Sequence, residues 1–337
     1  MNRSEWSAVL DSYEGGNAKR SIGQFIFTVS AYFSLMIVMF YLVYTGYPYW
    51  IALLVAIPAA GFHVKIFIIL HDCSHNSYFH SQKACTAVGR ICGLITFTPY
   101  YDWRRSHAIH HASVANLEKR GVGDVWTMTV EEYKSAGRFK KLIYRIFRNP
   151  LFLFGIAPAV LFLLISRFPR KNLTKKEFRS IILTDLVLAS VITTLSLFTG
   201  LGVILKSILP IVILSSMWGV WLFYVQHQFK NVYWSHSTEW DYEKAALLGC
   251  SFYKMPGVLR WFSGNIGYHH IHHLNSRIPN YNLKKCYNEV PGVRNIKVMT
   301  LLGSVRSAFL QLWDESSGKM VSFRRLKNQS VSQFPSV

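Results

Sequence analysis

The chain has 337 residues, 51% of them hydrophobic, with 37 Lys and Arg against 17 Asp and Glu and a net charge of +20. The apolar residues gather in long runs almost free of charge, which excludes an ordinary soluble domain, since about 20 residues of helix span roughly 30 Å of hydrocarbon. A basic balance without a recognisable nucleic-acid module excludes a nucleic-acid binder and points to a face held against anionic lipid.

In chain order, Glu5, Asp11 and Glu14 precede Lys19 and Arg20, which is not the pattern of a cleavable signal peptide; the first apolar run is expected to serve as the targeting signal. Apolar runs are predicted at 24–45 and 48–70, the second ending at His71-Asp72-Cys73-Ser74-His75. A shorter run at 86–100, with Arg90 inside it, leads to His107-Ala108-Ile109-His110-His111. Runs at 150–166, 181–200 and 207–226 follow, and a third cluster, His269-His270-Ile271-His272-His273, comes after the last of them.

Clusters that build one site share one side of a membrane, so an even number of crossings must separate them. The 86–100 run is too short to cross and is expected to be interfacial or re-entrant. The 150–166 run, with Pro150 and Pro158, is flanked by the basic stretch Arg104–Arg148 and by Arg167, Arg170, Lys171, Lys175, Lys176 and Arg179. Positive-inside bias puts both flanks in the cytoplasm, so this run is expected to lie along or dip into the membrane. The expected architecture is an all-α integral membrane protein of one domain, 1–337, with four spans (24–45, 48–70, 181–200, 207–226) in two hairpins. Interfacial helices, a cytosolic helical cap carrying the histidines and a polar tail over 318–337 complete it. The expected location is the cytoplasmic membrane, multi-pass, with the site facing the cytoplasm.

Histidines spaced H-x3-H or H-x2-H-H share one stripe of a helix. With His270 set aside as out of spacing, three clusters supply more imidazoles than one tetrahedral or octahedral ion takes, so two metal ions are expected. Imidazole suits zinc, copper, iron and nickel, and spacing leaves the element open. No Glu-x-x-His motif accompanies the clusters, unlike carboxylate-bridged di-iron bundles. The five cysteines form no C-x-x-C pair and are expected to be reduced; Cys73 points off the His71/His75 face and is expected to pack as a small residue.

The three boxes, in this order and at the ends of apolar helices, resemble the integral-membrane fatty acid desaturase family over essentially the whole chain. Ile66–Cys73, Asn116–Gly121, Gly219–His227, Gly264–His269, Leu312–Glu315 and Val321–Arg324 are similar to its Bacillus Δ5 acyl-lipid (phospholipid) branch. The resemblance implies a non-haem centre of two iron ions held by His71, His75, His107, His110, His111, His269, His272 and His273, with His227 as a ligand outside the boxes. Some members hold iron through an Asn-bound water, where this chain has Phe223; Asn265, four residues before His269, offers a substitute polar group. Asp72 is expected to orient a ligand by taking its other N–H. His63, His80 and His236 match no motif.

The implied reaction is O2-dependent desaturation of saturated acyl chains of membrane phospholipids, leaving a cis double bond at Δ5. Its two electrons come from a separate ferredoxin or flavodoxin, for which Lys119, Arg120, Lys140 and Lys141 offer a dock. The competing readings are an acyl-chain or alkane hydroxylase on the same scaffold, a bis-histidine haem protein, and a membrane metal transporter, whose ligands would lie near mid-span.

Overall fold

The computed structural model describes residues 3–326 and is mostly helical. After a short helix α1 (Arg3–Leu10), the helices α2 (Ala18–Tyr44) and α3 (Tyr49–Ser74) form a hairpin, each long and apolar enough to cross a membrane. Asn17 caps α2 by accepting from the Arg20 N–H at 3.0 Å. Large apolar side chains such as Ile37 and Trp50 stand exposed on this pair, which is favourable only where the surroundings are hydrocarbon.

The chain then doubles back. Helix α4 (Gln82–Ile95), capped by Ser81, descends beside α3 until the Ile95 carbonyl meets His63 Nε2 at 3.1 Å. His63 lies twelve residues before His75, so α4 reaches about 18 Å along the α3 axis at 1.5 Å per residue. Helix α5 (Tyr100–Ser113) rises again toward the same end, and the Tyr100 hydroxyl donates to the Cys73 carbonyl at 3.1 Å. The run expected to be interfacial or re-entrant thus lies mostly on the first arm of a helical hairpin packed beside α3. Its close fit rests on Gly89, where a Cβ would come within 2.4 Å of the Tyr100 ring.

A loop, strand β1 (Met128–Thr129) and helix α6 (Val130–Ser135) lead to the amphipathic helix α7 (Arg138–Phe147). The chain bends by 58° between α7 and the segment Phe152–Arg167, which holds a π-helical turn and helix α8 (Ala157–Leu163). Arg167 at its end pairs with Asp185 at 2.7 Å and donates to the Phe97 carbonyl in the turn between α4 and α5. Helix α9 (Lys175–Thr199), opened by a Thr174/Glu177 capping box, and α10 (Leu201–His227) form the second spanning hairpin. They are joined through Gly200 alone, at φ 82°, a left-handed conformation that other residues avoid. Among the described residues four helices have the length and apolarity of spans, as the sequence leads one to expect, although each runs a few residues beyond its apolar stretch.

The remaining helices, α11 (Tyr242–Leu248), α12 (Gly257–Phe262), α13 (His269–Leu274), α14 (Asn280–Glu289) and α15 (Leu301–Ser307), cap the histidine-bearing end. Short strands tie the cap together: β2 (Phe252–Tyr253) pairs in parallel with β3 (Val298–Met299), and β4 (Leu312–Asp314) joins β1 in parallel and β5 (Lys319–Val321) antiparallel. These strands were not foreseen. Strand β5 also corrects the expected polar tail at its start, because Met320 and Val321 are buried against the cap while Lys319 faces out. Residues 327–337 of that tail lie outside the described residues.

Candidate metal centre

The helix ends converge. His71 lies in the last turn of α3 and His75 is its C-cap, His107, His110 and His111 lie on α5, His227 is the last residue of α10, and His269, His272 and His273 lie on α13. They segregate into two groups. His71, His75, His107, His111 and His272 offer nitrogens within 4.8 Å of one another, and so do His110, His227, His269 and His273. Box one therefore falls whole into the first group, whereas boxes two and three split: His107 and His111 part from His110, and His272 parts from His269 and His273.

The ring nitrogens face one another in a way that hydrogen bonding alone does not satisfy. His111 Nε2 stands 3.1 Å from His107 Nε2 and 3.0 Å from His272 Nε2. His227 Nε2 stands 3.2 Å from His110 Nε2 and 2.8 Å from His269 Nε2, which is 3.1 Å from His273 Nε2. A neutral imidazole has one N–H and one lone pair, so these converging nitrogens suit a shared cation better than a chain of mutual hydrogen bonds. Imidazole nitrogens about 2.1 Å from a metal and at right angles are separated by about 3.0 Å, the spacing seen here. Five donors in the first group also exceed a tetrahedral shell.

The electrostatics favour ligation. Burial first, and neighbouring imidazoles second, hold His107, His111, His272 and His273 well below the ordinary histidine value, so their lone pairs are free of protons. His269 is held down in the same way, by burial and then by His227.

Carboxylates stand behind two of the rings. Asp72 Oδ1 lies 3.2 Å from His71 Nδ1, while Asp72 Oδ2 accepts from the Asn280 backbone N–H at 2.7 Å and side-chain N–H at 2.8 Å. Asp124 Oδ1 lies 2.5 Å from the Nδ1 of fully buried His110. Each contact fixes the Nδ1–H tautomer and turns Nε2 toward its group. Gly123 brings Asp124 in: at φ 72° its missing side chain admits the Ser106 carbonyl, 2.8 Å from where a Cβ would be. Arg148, 1% exposed, supports the following loop by donating to the carbonyls of Trp126 at 3.2 Å and Leu310 at 2.7 Å. Trp103 stacks on His107 with ring centres 4.5 Å apart.

Not every residue named from the sequence reaches the centre. Asn265 does not: α13 begins only at His269, so a position four residues earlier is off its face, and Asn265 instead occupies a left-handed turn at φ 58° with its amide donating to the Asn280 carbonyl at 3.1 Å. Phe223 packs its ring against both His110 and His227, at 5.1 and 5.0 Å, giving the second group an apolar wall. His270 turns away, with Nε2 3.0 Å from the Val293 carbonyl, and His63 faces the α4 terminus. His236 lies in an exposed clasp with Glu118 and Glu315. Cys73 is buried in the helix core and all five cysteines are free. Sequence reasoning missed Asp124, Asn280 and Arg148; a lone acid between Gly123 and Val125 carries no motif, and only its distance to His110 reveals it.

Four membrane-spanning helices with two nests of buried imidazoles at one end define a multi-pass membrane oxidoreductase with a metal centre, and the chain belongs to the fatty acid desaturase family, whose model matches residues 29–295. It is 41% identical over 317 residues to a fatty acid desaturase of Bacillus subtilis, covering 94% of this chain and 90% of that one. It is 25% identical to the sn-1 oleoyl-lipid 12-desaturase of Synechocystis, covering 66% of this chain and 64% of that one. It is also 25% identical to the sn-1 acyl-lipid omega-3 desaturase (ferredoxin) of the same organism, covering 66% of this chain and 62% of that one.

Proposed function

We propose that the chain is an acyl-lipid desaturase of the cytoplasmic membrane that introduces a cis double bond, at Δ5, into saturated acyl chains of phospholipids at a centre of two irons facing the cytoplasm. The observation that carries the metal reading is the convergence of nine imidazoles into groups of five and four. The acyl-lipid substrate is supported by relatives whose names specify oleoyl-lipid or acyl-lipid action. The Δ5 position rests on the wider likeness of Gly219–His227 and Leu312–Glu315 to that branch.

His71, His75, His107, His111 and His272 hold one iron, and His110, His227, His269 and His273 the other. When bound, the two irons supply the activation of dioxygen and the oxidising power for taking hydrogen from unactivated methylenes. Over the whole reaction two neighbouring methylenes lose one hydrogen each; these, two electrons from a donor and two protons reduce O2 to two waters. The protein's own part is to keep His107, His111, His269, His272 and His273 unprotonated by burial and to fix His71 and His110 through Asp72 and Asp124. Phe223 and Trp103 add apolar and aromatic bulk beside the rings and exclude water from them.

The electrons come from a separate ferredoxin or flavodoxin. The basic dock expected for it is narrowed by the structure: Arg120 is paired with Glu132, and Lys141 donates to the Lys134 carbonyl at 2.8 Å. Helix α7, which bears Lys140 and Lys141, exposes Phe139, Leu142 and Ile146 and so suits the lipid surface. Lys119 remains exposed for the donor.

Expression in a bacterial host without desaturases tests the proposal. New monounsaturated phospholipid chains with the double bond mapped to C5, absent from a His107→Ala version, are expected. Hydroxylated chains, or an unchanged profile despite metal-loaded protein and added donor, would overturn it.

A further inference from the structure

Beside the metal centre, between α4, α5 and the start of α9, lies a cleft of about 470 Å³ lined by Lys83, Arg90, Arg104, Lys176, Gln82 and Thr86. No carboxylate lines it. Its cations come from three elements, so chance clustering along one helix does not produce them. On α4, positions 83, 86, 87 and 90 form one stripe, while Cys85, Gly89 and Cys92 on the other stripe are buried. The acids nearest in sequence are already used: Asp102 pairs with Arg170 at 2.6 Å and Glu177 with Arg105 at 2.7 Å. Lys176 stands 4.2 Å over the Tyr101 ring, and among the described residues Lys83, Arg90 and Arg104 have no acidic partner. Four like charges around one cleft repel one another unless an anion occupies it.

The position selects the anion. Lys176 opens the spanning helix α9, and α4 descends into the bundle, so the cleft sits where phosphates of a bilayer leaflet lie and below them the acyl chains begin. Arg104 precedes His107 by one turn of α5, about 4.5 Å along the axis. A double bond five carbons from the ester requires the glycerol and its phosphate to rest close to the metals. A cleft of this size accommodates a polar headgroup.

We propose that this cleft binds the phosphodiester of the substrate phospholipid through Lys83, Arg90, Arg104 and Lys176, and so sets how far the acyl chain reaches past the irons. The assignment rests on the acyl-lipid reading above.

The test is lipid binding by the full-length, metal-loaded protein in neutral detergent, read by native mass spectrometry. The probes are dipalmitoyl phosphatidylglycerol, dipalmitoylglycerol and inorganic phosphate. The phosphatidylglycerol adduct should survive at least ten times lower lipid concentration than the dipalmitoylglycerol adduct. A Lys83→Gln/Arg90→Gln protein should lose about tenfold in that affinity, or about 1.4 kcal/mol, and Arg90→Lys should retain it, which separates lost charge from lost folding. Equal binding by the glutamine variant overturns the proposal. So does displacement of the lipid by inorganic phosphate at matching concentration, which would mark a free-anion site. Normal lipid binding with slower reduction by an acidic donor would assign the cleft to the donor instead. Because binding requires no turnover, a chain that binds lipid in this charge-dependent way yet makes no double bond would refute the acyl-lipid function and leave the site; a working desaturase whose binding ignores the substitutions would do the opposite.

Discussion

Asp124→Ala isolates one support of the metal centre. His110 is fully buried and its Nδ1 has Asp124 Oδ1 at 2.5 Å, so the substitution leaves a buried N–H with no acceptor. An unsatisfied buried donor costs about 1–3 kcal/mol. Loss of a carboxylate behind a ligating histidine weakens metal binding by about 10- to 100-fold, or about 1.4–2.8 kcal/mol. The two figures agree because both measure the same freed imidazole. The loss should fall on one ion only, the one held by His110, His227, His269 and His273, since Asp124 touches no ring of the other group. Asp124 Oδ2 and Trp234 Nε1 have no protein partner, and both residues line a cavity of about 10 Å³, room for about one water. Asp124→Asn, which keeps an acceptor but not the charge, should lie between Ala and the native protein. Metal content per chain during a chelator titration reads this directly. The alanine variant should pass from two ions to one at roughly one-tenth or less of the chelator needed by the native protein, then hold the second ion as the native protein does. Unchanged chelator resistance, or simultaneous loss of both ions, would refute the reasoning.

His227→Ala should likewise lower the metal content to one ion, whereas His270→Ala, in the third box but bonded to the Val293 carbonyl, should keep two; equal effects on metal content would contradict the grouping. Arg148→Leu should lower unfolding stability by about 1–3 kcal/mol, because the buried Trp126 carbonyl loses its side-chain donor while the Leu310 carbonyl keeps the Tyr224 hydroxyl at 2.8 Å, with a thermal-unfolding scan in detergent as the check. The exposed clasp of His236 with Glu118 and Glu315 raises the His236 value, first through Glu118, and lowers Glu118 to about 2. A histidine raised in the folded state stabilises below its unfolded value near 6.5 and loses that contribution as pH climbs through the folded value. Thermal stability should therefore fall slightly as pH rises through that interval, and His236→Gln should flatten the profile; an identical slope in the variant would dispose of the clasp.

Much of this architecture was legible because hydrophobic length and histidine spacing report it directly. The parity argument requires the 86–100 run not to cross, and in the structure that run lies on α4, whose Ile95 carbonyl meets His63 on α3. Charge on both flanks leads one to expect that 150–166 does not cross, and the structure sets this segment at a 58° bend to α7. The ligand stripes were visible as spacing, but their partition was not. Two residues one position apart on α5, His110 and His111, point to different groups, which depends on where α10 and α13 arrive. Asp124 and Asn280 escaped for the same reason: each acts across a long sequence separation, 14 and 208 residues from its partner, through a loop or turn without periodicity. Asn265 misled because i−4 spacing means one face only inside a helix, and α13 starts too late. The short strands escaped because two- and three-residue pairings leave no alternation to read.

The most direct test of the central claim is intact-lipid mass spectrometry on purified, iron-loaded protein given saturated phosphatidylglycerol, O2 and a reduced ferredoxin. The account predicts loss of two hydrogens from the still-esterified lipid, with the new bond at C5. Gain of an oxygen atom, or conversion of free fatty acid while the intact lipid stays saturated, would contradict it.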